Sequence, residues 1–268
     1  MNNYSTVTAV KEAQRIVIKI GSSTLTHSTG KLNLRRIETL TKVISDFSNA
    51  GREIILVSSG SVSAGSAKLG LTPPIPAENV GLKKAAAAVG QAELMNIYDR
   101  FFTQFGVKVA QVLLTRDVIE NEIRKQNAEE TFKILIDMGC VPIVNENDTV
   151  SSDEIKFSGN DILSVYVTKL CKAELLINLS DIDGLYNKNP SEHADAELIH
   201  EVHGITDEIL SFAGGAGSVR GTGGMIAKLQ AAMLISEERI PMIIANGTNP
   251  EILYDILEGR ISGTYFSF

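Results

Sequence analysis

Arg15-Ile16-Val17-Ile18-Lys19-Ile20, closed by Gly21-Ser22-Ser23, is the stretch on which the fold turns. Apart from Lys19 its core is continuously apolar and β-branched, with no polar residue on alternate positions. A strand of that kind is covered on both faces, as in a parallel sheet. Working outward, similar short runs occur at Glu53–Ser58, Val107–Leu114, Val141–Asn145, Glu174–Leu179 and Pro241–Ala245. Helical patterns lie between them, at Leu34–Asn49, Ser61–Leu69, Leu82–Phe105, Ile123–Asp137, Asn160–Leu170, Met225–Ser236 and Pro250–Leu257. Strands alternating with helices predict an α/β fold with a doubly wound, mainly parallel sheet. Asp181–Gly221 is the least regular segment and predicts small hairpins and loops. Met1–Gln14 is polar and reads as a loose leader or a capping helix.

Polar and glycine clusters follow the C-terminal ends of the predicted strands: Lys19 with Gly21-Ser22-Ser23, Ser58-Ser59-Gly60, Asn145-Glu146-Asn147-Asp148, and Ser180-Asp181. Each alone is an ordinary turn. Together they mark the sheet edge at which open α/β folds bind ligands. Lys19 itself has two readings. It is a solvent-facing lysine of an edge strand, or a buried cation that needs an anionic partner. Asp161, in Ser158-Gly159-Asn160-Asp161, caps a helix or organises nearby lysines.

Gly221-Thr222-Gly223-Gly224-Met225-Ile226-Ala227-Lys228 opens a helix with glycines and sets a lysine one turn in. Unpaired amides and the helix dipole suit an anion there, and phosphate is the natural guest. A flexible loop before a core helix is the other reading. The segment is not a Walker A loop, because Ala227 precedes Lys228 and Leu229 follows it.

Composition narrows the function. The 268 residues are 44% hydrophobic and 21% charged, with a net charge of −7, which suits a globular chain and disfavours a nucleic-acid or anionic-membrane surface. The two cysteines, Cys140 and Cys171, form no CxxC pair, and His27, His193, His200 and His203 lack metal-ligand spacing, so no protein-held metal is expected. There is no signal-peptide core or membrane-length run, and a cytoplasmic location is expected. No Ser-His-Asp set or paired glycosidase carboxylates stand out. A carboxylate acceptor would need no general base, since it is already ionised at neutral pH; phosphoryl transfer to it needs positioning, cations and backbone donors.

Val17–Gly21, Val57–Gly65, Ala88-Val89-Gly90-Gln91, Gln111–Thr115, Val141–Asp148, Gly159-Asn160-Asp161, Asp181–Tyr186 and Gly221–Ala232 together resemble the amino-acid kinase family, and within it the members acting on free glutamate. The resemblance runs from Ile16 to Phe266. It implies a three-layer αβα sandwich, with residues 15–170 binding the amino acid, residues 171–268 binding the nucleotide, and residues 1–14 as a leader. It implies ATP- and Mg²⁺-dependent phosphorylation of the side-chain carboxylate of L-glutamate, the first step toward proline. Lys19 and Lys228 would neutralise the moving phosphoryl group, and Asp161 would hold them. Gly21 and Gly60 would offer backbone donors to phosphate. Ser59, Gly60, Asn145, Asp148 and Asn160 would bind glutamate. Lys19, Gly21, Ser180, Asp181, Thr222, Gly223, Gly224, Met225, Ile226, Ala227 and Lys228 would bind the nucleotide. Proline is the expected feedback inhibitor, supported by the loop Asn147–Ser158, and a homo-oligomer is the expected assembly.

Three departures accompany the resemblance. The C-terminal RNA-binding-like domain of many members has no counterpart here, so a short form is expected. Gly159 stands where aspartate is common, and Ser180 where threonine is usual. A kinase for acetylglutamate or aspartate, and a nucleotide-binding regulator without turnover, are the alternatives.

Overall fold

The computed structural model describes residues 3–71, 75–76, 78–152, 157, 159–213, 224–260 and 262–268, leaving aside the side chains of 3–6. In chain order the first half comprises α1 (Asn3–Glu12), β1 (Arg15–Ile20), α2 (Ser22–Leu25), α3 (Leu34–Asn49), β2 (Glu53–Ser58), α4 (Ser61–Lys68), α5 (Val80–Gln104), β3 (Lys108–Leu114), α6 (Asp117–Glu120), α7 (Glu122–Asp137), β4 (Cys140–Glu146) and α8 (Asn160–Cys171). The second comprises β5 (Leu175–Ser180), β6 (Glu201–Val202), α9 (Asp207–Ser211), α10 (Met225–Ser236), β7 (Met242–Asn246), α11 (Ile252–Leu257) and β8 (Thr264–Phe266).

The strands form one sheet in the order β3-β4-β2-β1-β5-β7-β8-β6. Pairing is parallel from β3 to β7, and β7 meets β8 antiparallel. The sheet is therefore built in two directions from the centre, β2, β4 and β3 on the β1 side and β7, β8 and β6 on the β5 side. The β1–β5 junction is a topological switch point, where the loops beyond the C-terminal strand ends diverge and leave a crevice.

The β1 register explains the sheet's two faces. Ile16, Ile18 and Ile20 point to one core with Leu40 of α3, Tyr98 of α5 and Ile256 of α11. Val17 points to the other, with Phe132 of α7, Leu163 of α8 and Leu229 of α10. Helices thus cover both faces, giving three layers. Lys19 shares the Val17 face by strand alternation. Since β1 lies between β2 and β5, Lys19 is interior, and the edge-strand reading is corrected.

The sequence places six strands to within one residue at each end. β6 and β8 escape it because two or three residues carry no periodicity. Asn3–Glu12 form α1, the helical one of the two readings of this segment. Inside the irregular segment, Tyr186 and Leu198 make an antiparallel bridge. Gly263 is obligatory where β8 returns: its φ is +119°, and a Cβ there would lie 2.2 Å from the Ile244 carbonyl oxygen. No described helix is long and apolar enough to cross a membrane.

Candidate active site

A cleft of about 550 Å³ opens at the C-terminal ends of β1, β2, β4 and β5. Four helices begin on it: α2 after Gly21, α4 after Gly60, α8 after Gly159 and α10 after Gly224. None of these four has a side-chain cap. Elsewhere, side chains of Asn33, Asn79, Asn121 and Thr206 cap α3, α5, α7 and α9, while α6 and α11 have no side-chain cap and a non-glycine residue at that position. Glycine at the cleft-side caps leaves the first-turn amides without a competing side chain, so these donors are open to an anionic guest.

The cations lie deeper. Lys19 is 4% exposed and Asp161 3%, and Lys19 Nζ donates to Asp161 Oδ1 at 2.8 Å. Asn178, the β5 register partner of Lys19, donates to the same oxygen at 2.5 Å. Lys228 of α10 is also buried and borders the same cleft. Burial alone would raise the Asp161 carboxyl; Lys19 and then Lys228, with the bonds from Lys19 and Asn178, bring it below the ordinary aspartate value. Burial lowers the Lys228 ammonium, Asp161 opposes that, and the like charge of Lys19 adds to it. Asp161 is not the cap of α8, since Gly159 occupies that position with φ +116°. Its carboxylate is turned to the lysines instead.

The other side of the cleft is a network of neutral polar groups. Asn160 Nδ2 donates to Ser59 Oγ at 2.8 Å and to Asn145 Oδ1 at 2.9 Å. Asn145 Nδ2 donates to Gln91 Oε1 at 2.9 Å. Ser61 Oγ donates to Asp148 Oδ2 at 3.2 Å. Burial raises the Asp148 carboxyl above its ordinary value, an effect the Ser61 bond and Lys84 only partly offset. Behind this side, Gly65 and Gly90 let α4 and α5 cross closely: a Cβ on Gly90 would sit 1.7 Å from the Ser61 carbonyl oxygen.

The cleft gathers Lys19, Gly21, Ser59, Gly60, Asn145 and Asp148 with Asn160, Asp161, Ser180, Asp181, Gly224 and Lys228. Three expected nucleotide residues differ. Met225 borders a neighbouring cavity of about 710 Å³ with Tyr186 and Phe212. Ile226 and Ala227 border neither cavity, and the Ala227 N–H is already bonded to the Gly224 carbonyl at 3.1 Å. Helical periodicity turns these two away from the cleft while bringing Lys228 in. Thr222 and Gly223 lie outside the described residues. The sequence assigned no role to Ser61, Gln91 or Asn178. The signal for Asn178 was there, a single amide in Leu175–Ser180, of the same kind as the lysine in β1. Among the described residues no three His, Cys, Asp or Glu side chains converge on a metal position.

Residues 14–246 match the model of the Amino acid kinase family. The chain is similar to the glutamate 5-kinase of Clostridium perfringens, 52% identical over 96% of this chain and 97% of that one. It is similar to that of Listeria innocua, 48% identical over 97% of this chain and 95% of that one. Among solved structures it resembles the isopentenyl phosphate kinase of T. acidophilum (TM-score 0.63, 19% identity, 94% of this chain and 99% of that one). It also resembles the carbamate kinase of Giardia lamblia bound to AMP-PNP (TM-score 0.66, 16% identity, 96% of this chain and 99% of that one). At those identities the structural likeness concerns the fold.

Proposed function

The chain belongs to the amino acid kinase family, and from that membership we propose that it transfers the γ-phosphoryl group of ATP to the side-chain carboxylate of L-glutamate, the first step toward proline. The observation that carries this reading is the convergence of Lys19, Asp161 and Lys228 beneath four uncapped helix N-termini. A passive nucleotide binder has no need of two buried lysines held around one carboxylate.

A glutamate side-chain oxygen attacks the γ-phosphorus, the bond from that phosphorus to the β-bridging oxygen breaks, and ADP leaves. No proton has to move, because the acceptor is already ionised. Charge builds on the transferring oxygens. Lys19 and Lys228 meet it as fixed cations, and the amides after Gly21 and Gly60 meet it as preorganised donors. Asp161 keeps two like charges in one buried site and sets where they point.

Glutamate occupies the side built on β2, β4 and α8, within residues 15–170. The Asp148 carboxylate takes its α-ammonium, and Ser59, Gly60, Asn145 and Asn160 surround it. The nucleotide occupies the side built by residues 171–268, at Ser180, Asp181 and Gly224. The cavity bordered by Met225, Tyr186 and Phe212 is apolar and aromatic enough for its base. Mg²⁺ fits as an ion that enters with the nucleotide. It takes few protein ligands in such sites, and Asp181, exposed in the cleft, is the carboxylate available beside the phosphates. When bound, it adds positive charge at the phosphate oxygens.

Proline, sharing the α-carboxylate and an ammonium, competes for the glutamate side in this reading. The open edge at β3 supports self-association, and the cytoplasm is the compartment of such an enzyme. The test is ADP release in a coupled assay with glutamate, aspartate and acetylglutamate. Glutamate is expected to give the highest kcat/KM and acetylglutamate the lowest. Equal or better use of acetylglutamate would overturn the substrate assignment.

A further inference from the structure

Three carboxamides meet behind the glutamate side of the cleft, and their amides run in one direction. Asn160 gives its Nδ2 hydrogens to Ser59 and Asn145. Asn145 gives Nδ2 to Gln91 Oε1 at 2.9 Å and to Ser61 Oγ at 3.4 Å. Asn145 and Asn160 border the cleft, whereas Gln91 reaches in from α5 and is 8% exposed.

Turning a carboxamide over exchanges donor for acceptor with almost no change of shape. Something must fix the direction. Ser61 and Gln91 do so at the buried end: Ser61 Oγ gives its hydrogen to Asp148 and can only accept from Asn145 Nδ2, and Gln91 Oε1 takes the shorter bond from the same Nδ2. Asn145 Oδ1 then faces Asn160 and draws in Nδ2 of Asn160. With both hydrogens committed, Asn160 keeps Oδ1 as the polar atom to offer a substrate. That atom is an acceptor, the type an ammonium requires. A reversed relay would present an NH₂ group to the ammonium instead. Gln91 Nε2 has no partner among the described residues, so the oxygen is the end in use. The glycine crossing at Gly65 and Gly90 brings Gln91 within reach of Asn145.

We propose that Gln91 is a positioning residue that, together with Ser61, holds the amide polarity of Asn145 and Asn160 and thereby the selection of an α-ammonium substrate. This rests on the glutamate reading above. It acts through Asn145 and touches no substrate.

The experiment uses the full chain with saturating ATP and varied glutamate. Turnover of glutamate by the unaltered enzyme tests the underlying reading first; if there is none, that reading fails and the proposal falls with it. Gln91→Met keeps length and volume but removes the acceptor. It is expected to raise the glutamate KM about tenfold, the worth of one buried hydrogen bond, and to leave the ATP KM within about twofold. Gln91→Asn keeps an amide but withdraws it by one methylene, and the same split is expected without an apolar replacement. In an Asn145→Ala background, Gln91→Met is expected to add no further change, since coupled residues are non-additive. An unaltered glutamate KM in both single variants overturns the proposal. So does an effect that adds in full to that of Asn145→Ala.

Discussion

Lys19 Nζ and Asp161 Oδ1 lie 2.8 Å apart between two side chains that are 4% and 3% exposed, and the second oxygen-bound partner, Asn178, comes from the neighbouring strand. A buried ion pair gains little over apolar packing, yet removing one member strands a charge and costs about 3–5 kcal/mol. Asp161→Ala strands Lys19. Its Tm is expected to fall by roughly 10 °C, and its kcat by about a hundredfold or more as the lysines lose their aim. Thermal melts paired with steady-state rates check both. A variant with normal rate would remove Asp161 from the site.

The same carboxylate sets an acid limit on stability. Its folded value lies below the ordinary 3.8, so the pair stabilises the fold fully above that value. That contribution is lost as pH falls from there through the lowered folded value. Asp161→Asn, with no proton to take up, is expected to show a flatter stability profile below about pH 4. Denaturant titrations across that window give the comparison. Parallel profiles would mean that Asp161 is not held ionised.

Lys228 behaves in the opposite sense. Burial puts its folded value below 10.5, so its charge costs stability at neutral pH, and the cost is relieved as pH rises through that lowered value toward 10.5. Lys228→Met is expected to keep or raise Tm at neutral pH while losing at least about a hundredfold in kcat, the effect of a missing transition-state cation. The stability gain should shrink at alkaline pH. A variant that is both inactive and clearly destabilised would assign Lys228 a structural role.

The contrast between these lysines and the polar network shows what a sequence reveals. Lys19 was legible because a charge stood inside an apolar strand, and solvation makes that costly unless it has a partner. What the strand alone could not tell was whether it lay at an edge or in the middle, because pairing partners are distant in sequence; the β1–β5 junction decides it. Lys228 was legible from the glycine-opened helix, but the direction of Ile226 and Ala227 required the phase of that helix. Gln91 belongs to a helix rich in alanine and apolar residues, where one amide reads as surface. Its link to Asn145 is a tertiary contact between residues 54 positions apart, and no local pattern encodes it.

Gly90→Ala tests the helix crossing. Its Cβ would meet the Ser61 carbonyl at 1.7 Å, a backbone atom that cannot swing aside. Overpacking of this kind costs about 1–3 kcal/mol or more. Because Ser61 opens α4 and donates to Asp148, the shift reaches the glutamate side first. A Tm drop of several degrees and a rise in glutamate KM exceeding that in ATP KM are expected. Equal changes in both KM values would mean that the crossing supports the fold without favouring one side of the cleft.

Asp148 carries the most specific pH dependence. Burial raises its carboxyl above 3.8 in the free protein, so it takes up a proton before an ordinary aspartate as the solution is acidified. The α-ammonium of glutamate would pull it back to the ionised state. Binding then releases a proton in that window, and kcat/KM for glutamate declines on acidification through the raised Asp148 value. Glutamate's own side chain, near ~4.3, adds a second proton. The acid limb of log kcat/KM is therefore expected to steepen toward a slope of about two. In Asp148→Asn only the substrate's proton remains, and the limb should return to a slope of about one. The same substitution removes a charge-assisted hydrogen bond worth about 1.5–3 kcal/mol, so the glutamate KM should rise roughly tenfold to a hundredfold. The ATP KM should hold, because Asp148 stands on the opposite side of the cleft from Ser180 and Gly224. A variant that keeps both the steep limb and the wild-type glutamate KM would take Asp148 away from the ammonium.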